Sequence, residues 1–127
     1  MNRHFQRHYT VEEAQALLPR VRDYLATLRR LRARIERFQR ELEQKHPNGY
    51  DFGGPACHEH VRNLAAWDHL LRQLDRQCIV IRDLDRGLVD FPSLRDGQEI
   101  FLCWEEREPE IGWWHDLESG YAGRQPL

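Results

Sequence analysis

The chain has 127 residues, 40% hydrophobic and 31% charged, with a formal net charge of -2. That length fits a single domain able to bury roughly two-thirds of its unfolded surface, and the composition excludes a disordered or fibrous chain. The charge is segregated: Arg20 to Arg40 holds eight arginines against Asp23 and Glu36, whereas Arg82 to Glu118 holds eleven carboxylates against four arginines.

Cys57, Cys78 and Cys103 are odd in number and widely spaced, so a disulfide framework is not expected and a reducing cytoplasm fits. The polar start MNRHFQRHYT lacks the apolar core of a signal peptide. No apolar run reaches the roughly 18 residues of a membrane span. The expectation is a soluble cytoplasmic protein with no membrane contact.

The first helix opens on a capping box, Thr10-Val11-Glu12-Glu13. Apolar residues follow at Val11, Ala14, Leu18, Val21, Leu25 and Leu28, then at Leu31, Ile35, Phe38 and Leu42, with a one-residue phase slip between the two runs. The stripe predicts a coiled-coil-like seam reaching Lys45, with a kink or break near Leu18 because Pro19 has no amide for the Gln15 carbonyl. The stretch His46 to Pro55 is loop chemistry, and Pro55 suits the first turn of a second helix running to about Gln77. Its seam is read as His60, Leu64, Trp67, Leu71, Leu74 and Cys78, giving an antiparallel hairpin with the first helix.

Beyond Cys78 the apolar period changes. Cys78 to Arg82, Leu88 to Phe91 (closed by Pro92) and Glu99 to Glu105 predict three strands, joined by turns at Asp85-Arg86-Gly87 and Arg95-Asp96-Gly97. The fold class is α+β, one domain over 1–127: a helical hairpin over 10–77, then a three-stranded antiparallel meander. An aromatic, Gly-rich tail from Gly112 to Leu127 is expected to fold back on the sheet.

The segments YTVEEAQALLPRVRDYLATLRRL and RDLDRGLVDFPSLRDGQEIFLCWEEREPEIGWWHDLESGYAGRQPL resemble the bacterial domain-of-unknown-function family 2203. GLVDFP, LCW and WHDLESGYAGR carry the likeness most specifically, and Glu43 to Glu59 carries it least. The resemblance implies a small bacterial protein and no particular activity.

Two groups of residues offer chemistry. Asp83, Asp90, Glu105, His115 and Asp116 offer oxygen and nitrogen ligands to a divalent metal. Asp83 and Asp90 lie across an expected hairpin, where they could converge. The alternative is that these acids pair with Arg82, Arg86, Arg95, Arg107 or Arg124, or cap turns. Trp104, Trp113, Trp114 and Tyr121, with Arg124 as an anion clamp, would line a ligand pocket; equally, they are the small core that holds the tail down. Cys57-His58-Glu59-His60 lacks a zinc spacing, since His58 and His60 diverge on a helix. Cys103, in mid-strand, reads as an inert buried thiol. Neither Ser93 nor Ser119 sits in a nucleophile elbow, and no phosphate-binding glycine loop is present.

Arg22, Arg29, Arg30, Arg32, Arg37 and Arg40 flank the first seam. They suggest a phosphate-tracking stripe or, as the preferred reading, salt-sensitive docking on the acidic β half of another subunit. A pI near 6.4 argues against nucleic acid. The reading reached is a non-catalytic interaction module that forms homo-oligomers. The alternative is a small metal-binding protein or metal-dependent enzyme with its site in the C-terminal β region.

Overall fold

The computed structural model describes residues 3–45 and 54–127. The chain forms two helices followed by one five-stranded antiparallel sheet, an α+β arrangement. Helix α1 spans Val11–Lys45 and α2 spans Pro55–Arg76. The strands are β1 (Val80–Asp83), β2 (Leu88–Arg95), β3 (Gln98–Glu105), β4 (Trp113–Asp116) and β5 (Gln125–Pro126), side by side in chain order. Most of the expected loop, from His46 to Gly53, lies outside the described residues.

The capping box forms in full. Glu13 N donates to Thr10 Oγ1 at 3.1 Å and Thr10 N to Glu13 Oε1 at 2.9 Å. Ala14, Leu18, Val21, Leu25, Leu28 and Leu31 are the buried face of α1, as the spacing predicts. The expected break at Pro19 does not occur, and α1 is one element of 35 residues. Pro19 lies on the exposed side, where water can take the carbonyl that the proline leaves free, while Leu18 and Val21 stay packed. The seam of α2 is also shifted. Cys57, Leu70 and Leu74 are buried, with Trp67 half-buried against the core, whereas Leu64 and Leu71 are 42% and 40% exposed.

The meander has five strands rather than three, because the aromatic tail supplies β4 and β5. Trp113 pairs with Cys103 and His115 with Phe101 across β3, and β5 then pairs Gln125 with Trp114. A single 3-10 turn at Tyr121–Gly123 joins the last two strands. Strand β1 begins at Val80 rather than Cys78, whose φ of 60° takes it out of extended backbone. Strand β2 continues through Pro92 to Arg95. Its pairing with β1 reaches only to Asp90, so the proline's missing amide interrupts no bond on that side. Asp96 and Gly97, with φ of 52° and 81°, form the two-residue β2–β3 turn, whose positive angles match a type I′ hairpin.

Strand alternation gives the sheet two faces. Val89, Phe91, Ile100, Leu102, Trp104 and Trp114 pack with the helices in the main core. The opposite face carries Asp90, Phe101, Cys103, Glu105, Trp113 and His115, as the register of β2, β3 and β4 requires. It is buried too, because the N-terminal segment, the tail and several arginines lie over it. Phe5 meets Phe101 edge-on at 5.3 Å, and the Arg82 guanidinium sits 5.0 Å above the same ring.

The N-terminal segment is held by Glu99. Its carboxylate accepts bonds from His4 N (2.8 Å), His4 Nδ1 (3.1 Å), Phe5 N (3.1 Å) and His8 Nε2 (2.8 Å). Burial raises the carboxyl's pKa, but these bonds outweigh it and hold the group at about 2, against an ordinary 4.5. A carboxyl whose folded pKa is depressed stabilises the fold above its unfolded pKa and ceases to as pH falls through the folded value. Acid unfolding is therefore expected to develop between about pH 4.5 and 2, and Glu99→Gln should flatten that limb. Unfolding followed by circular dichroism across this range checks it. An acid limb unchanged in Glu99→Gln would contradict the assignment.

Candidate functional site

Part of the segregated charge is spent within the chain. Arg22 donates to the carbonyls of Glu106 (2.7 Å) and Glu108 (3.2 Å). Arg29 holds the Leu84 carbonyl at 3.0 and 2.8 Å and the Glu106 carboxylate at 2.8 Å, and Arg32 pairs with Asp85. These three arginines of the α1 stripe therefore fasten the hairpin to its own acidic β half. Arg30 bonds Thr27 on the same helix.

The aromatic group divides between the two faces. Trp104 is fully buried on the helix side, where its Nε1 donates to the Glu108 carbonyl at 3.0 Å. Trp114 packs beside it in the core, under the Arg95 guanidinium. Trp113 and Tyr121 lie on the other face with Arg124, whose guanidinium is 5.0 Å and 4.7 Å from their rings. Arg124 also donates to the Glu108 carboxylate at 2.7 Å and to the Cys103 carbonyl at 3.2 Å. Trp113, Tyr121 and Arg124 thus come together, apart from Trp104 and Trp114.

The five candidate metal ligands occupy four places. Asp83 Oδ1 accepts the amides of Asp85 and Arg86, so it caps the β1–β2 turn. Asp116 does the same for Glu118 and Ser119 after β4. Hydrogen bonds to those amides hold the Asp116 carboxyl below its usual range. Glu105 is buried on the outer face and bound by Arg86 (3.0 Å), Arg107 (3.1 Å) and the Tyr121 hydroxyl (3.2 Å). Burial raises its pKa, but the two arginines outweigh this and bring it below the ordinary value.

Asp90 and His115 do converge. They are each 1% exposed, with His115 Nε2 at 3.0 Å from Asp90 Oδ2. Arg82 Nε donates to the same oxygen at 2.9 Å, and His115 Nδ1 is 2.6 Å from the Asp116 carbonyl. Burial pulls the imidazole's pKa down. Hydrogen bonds with Asp90, Cys103 and the Asp116 carbonyl outweigh it and hold the ring at about 10, above an ordinary 6.5. Cys103, directly across from Asp90 in the β2–β3 ladder, completes the group. One ligand atom from each of Asp90, Cys103 and His115 lies within 4.8 Å of the others. In the sequence Cys103 reads as an inert core thiol, and the signal that it belongs here is its place opposite Asp90 once the β2–β3 register is drawn.

A second feature lies on the hairpin. Leu31 is the last buried residue of α1, and beyond it Ile35, Phe38 and Leu42 are only half-covered. A groove of about 280 Å³ opens there between Arg32, Ile35, Glu36 and Gln39 of α1 and Leu64 and Trp67 of α2. Leu71 and Val61, 40% and 57% exposed, continue its apolar character along α2.

A helical hairpin fastened by arginines to a five-stranded meander, with a polar cluster buried on the sheet's far face, defines a small α+β domain. A family model described as an uncharacterized conserved protein, DUF2203, matches residues 7–127, and the chain belongs to that family. Searches of curated proteins and of solved structures gave no match. Among the described residues, no helix is long and apolar enough to cross a membrane.

Proposed function

We propose that the protein is a non-catalytic, self-associating module in which two copies pair their helical hairpins into a four-helix bundle. The supporting observation is the row Val61, Leu64 and Leu71, exposed on α2 beside the groove of Ile35 and Trp67. A two-helix hairpin cannot cover the apolar residues on both its flanks, and a row at helical spacing is what a further helix would bury.

A second copy fits this row. A two-fold axis near Asp68, with the α2 helices antiparallel, sets Leu64 of one copy against Leu71 of the other. Arg22, Arg29 and Arg32 are engaged inside the chain, so the contact is mainly apolar. Its salt dependence should be shallower than docking through the arginines would give.

Sedimentation equilibrium tests the pairing. A dimer is expected at micromolar concentration, and Leu64→Glu with Leu71→Glu should give a monomer with little change in melting temperature, as for exposed sites. A wild-type chain that stays monomeric throughout would sink the proposal.

A further inference from the structure

We infer that Asp90, Cys103 and His115 form a metal centre for a divalent transition ion of the zinc class. This stands apart from hairpin pairing, because the three residues lie on the sheet face turned away from the helices.

The donor set is the first argument. One sulfur, one imidazole nitrogen and one carboxylate oxygen gather within 4.8 Å. Thiolate and imidazole favour zinc and its neighbours over magnesium or calcium, which take oxygen alone. Zinc bonds of about 2.0 to 2.3 Å place tetrahedral ligand atoms roughly 3.3 to 3.7 Å apart. Small side-chain rotations therefore close the group around an ion. Three protein ligands leave one position for water.

The unused valence of Asp90 is the second. Its Oδ2 is engaged by Arg82 and His115, but Oδ1 is buried without a hydrogen-bond partner. A buried carboxylate oxygen left unpaired is costly, and a metal ion is one of the few partners that fits there. Arg82 can keep Oδ2 while Oδ1 turns to the ion.

The third is the orientation of His115. A contact of 2.6 Å to the Asp116 carbonyl places the hydrogen on Nδ1. In the neutral ring this leaves the Nε2 lone pair directed at the cluster. A ligating histidine usually has such an outer partner.

An entry path lies alongside. A depression of about 350 Å³ is lined by His4, Phe5, Arg82, Phe101, Leu117 and Glu118. Arg82 bonds Asp90, and the Phe101 ring is 5.4 Å from that of His115.

The test uses the full chain without a histidine tag, stripped with chelator and reloaded with Zn²⁺ or Co²⁺. One tightly held ion per chain is expected, and the Co²⁺ form should show thiolate-to-metal charge transfer. Cys103→Ala should abolish that band, and Cys57→Ala should leave it intact. Asp90→Asn and His115→Ala should each weaken binding by more than the about 10–100-fold typical of removing an outer-sphere partner. Should His115→Ala fail to fold, the band of the unaltered chain and its loss in a folded Cys103→Ala protein decide the matter. A folded wild-type chain that takes up no metal overturns the inference. So does uptake that persists unchanged in Cys103→Ala and Asp90→Asn.

Discussion

Trp104→Ala is expected to destabilise the protein by about 3–5 kcal/mol, a large share of the about 5–15 kcal/mol that holds a domain of this kind together. The ring is fully buried between α1 and the sheet, with the Arg22 guanidinium 4.8 Å above it. Truncation leaves a cavity that these rigid elements cannot collapse to fill. Trp104→Phe should cost much less. The Glu108 carbonyl that loses the indole donor still accepts from Arg22 at 3.2 Å, so no buried acceptor is stranded. Trp113→Ala, at a site 36% exposed on the opposite face, should stay near about 1 kcal/mol. Urea unfolding followed by circular dichroism ranks the three. A Trp113 effect as large as that of Trp104 would mean that the outer aromatic face, rather than the helix–sheet core, carries the fold.

The same contrast between faces explains what could be read from the sequence. The α1 stripe was legible because a capping box fixes its start and a single apolar row runs down it. The α2 seam was not, because Leu64 and Leu71 lie three or four positions from His60, Trp67 and Leu74 and so share their side of the helix. Periodicity alone cannot choose between adjacent apolar rows; only the packing of Leu70 and Leu74 on α1 and the sheet does. Strands β4 and β5 escape because they are short and set among glycines, and they exist by pairing, β4 with β3 and β5 with β4, rather than by their own propensity.

The polar site follows the same logic. Asp90 and His115 were visible as residue types, but their meeting depends on β4 lying beside β3, which strand propensity does not give. Cys103 enters through the same register. Asp83 and Asp116 show the opposite outcome: each has backbone amides two and three residues ahead to bind, and turn capping takes them locally.

Asp90→Ala is expected to be the other severe substitution, at about 3–5 kcal/mol in chelator-treated protein, the range for breaking a buried ion pair from one side. Its two partners differ in what they can do next. The Arg82 side chain is 45% exposed and can turn to water. That of His115 is 2% exposed and cannot. The loss therefore falls on the imidazole, which must either stay charged without a counter-ion or give up a proton. Asp90→Asn keeps the shape and one acceptor oxygen, so a smaller loss of about 1–3 kcal/mol is expected. Glu105→Ala supplies the internal comparison. Glu105 is as deeply placed, but its arginine partners Arg86 and Arg107 are 45% and 75% exposed and rehydrate when it is gone. Urea midpoints should therefore order Asp90→Ala below both Asp90→Asn and Glu105→Ala. If Glu105→Ala proved the more damaging, burial of the surviving partner would not be what sets the cost on this face.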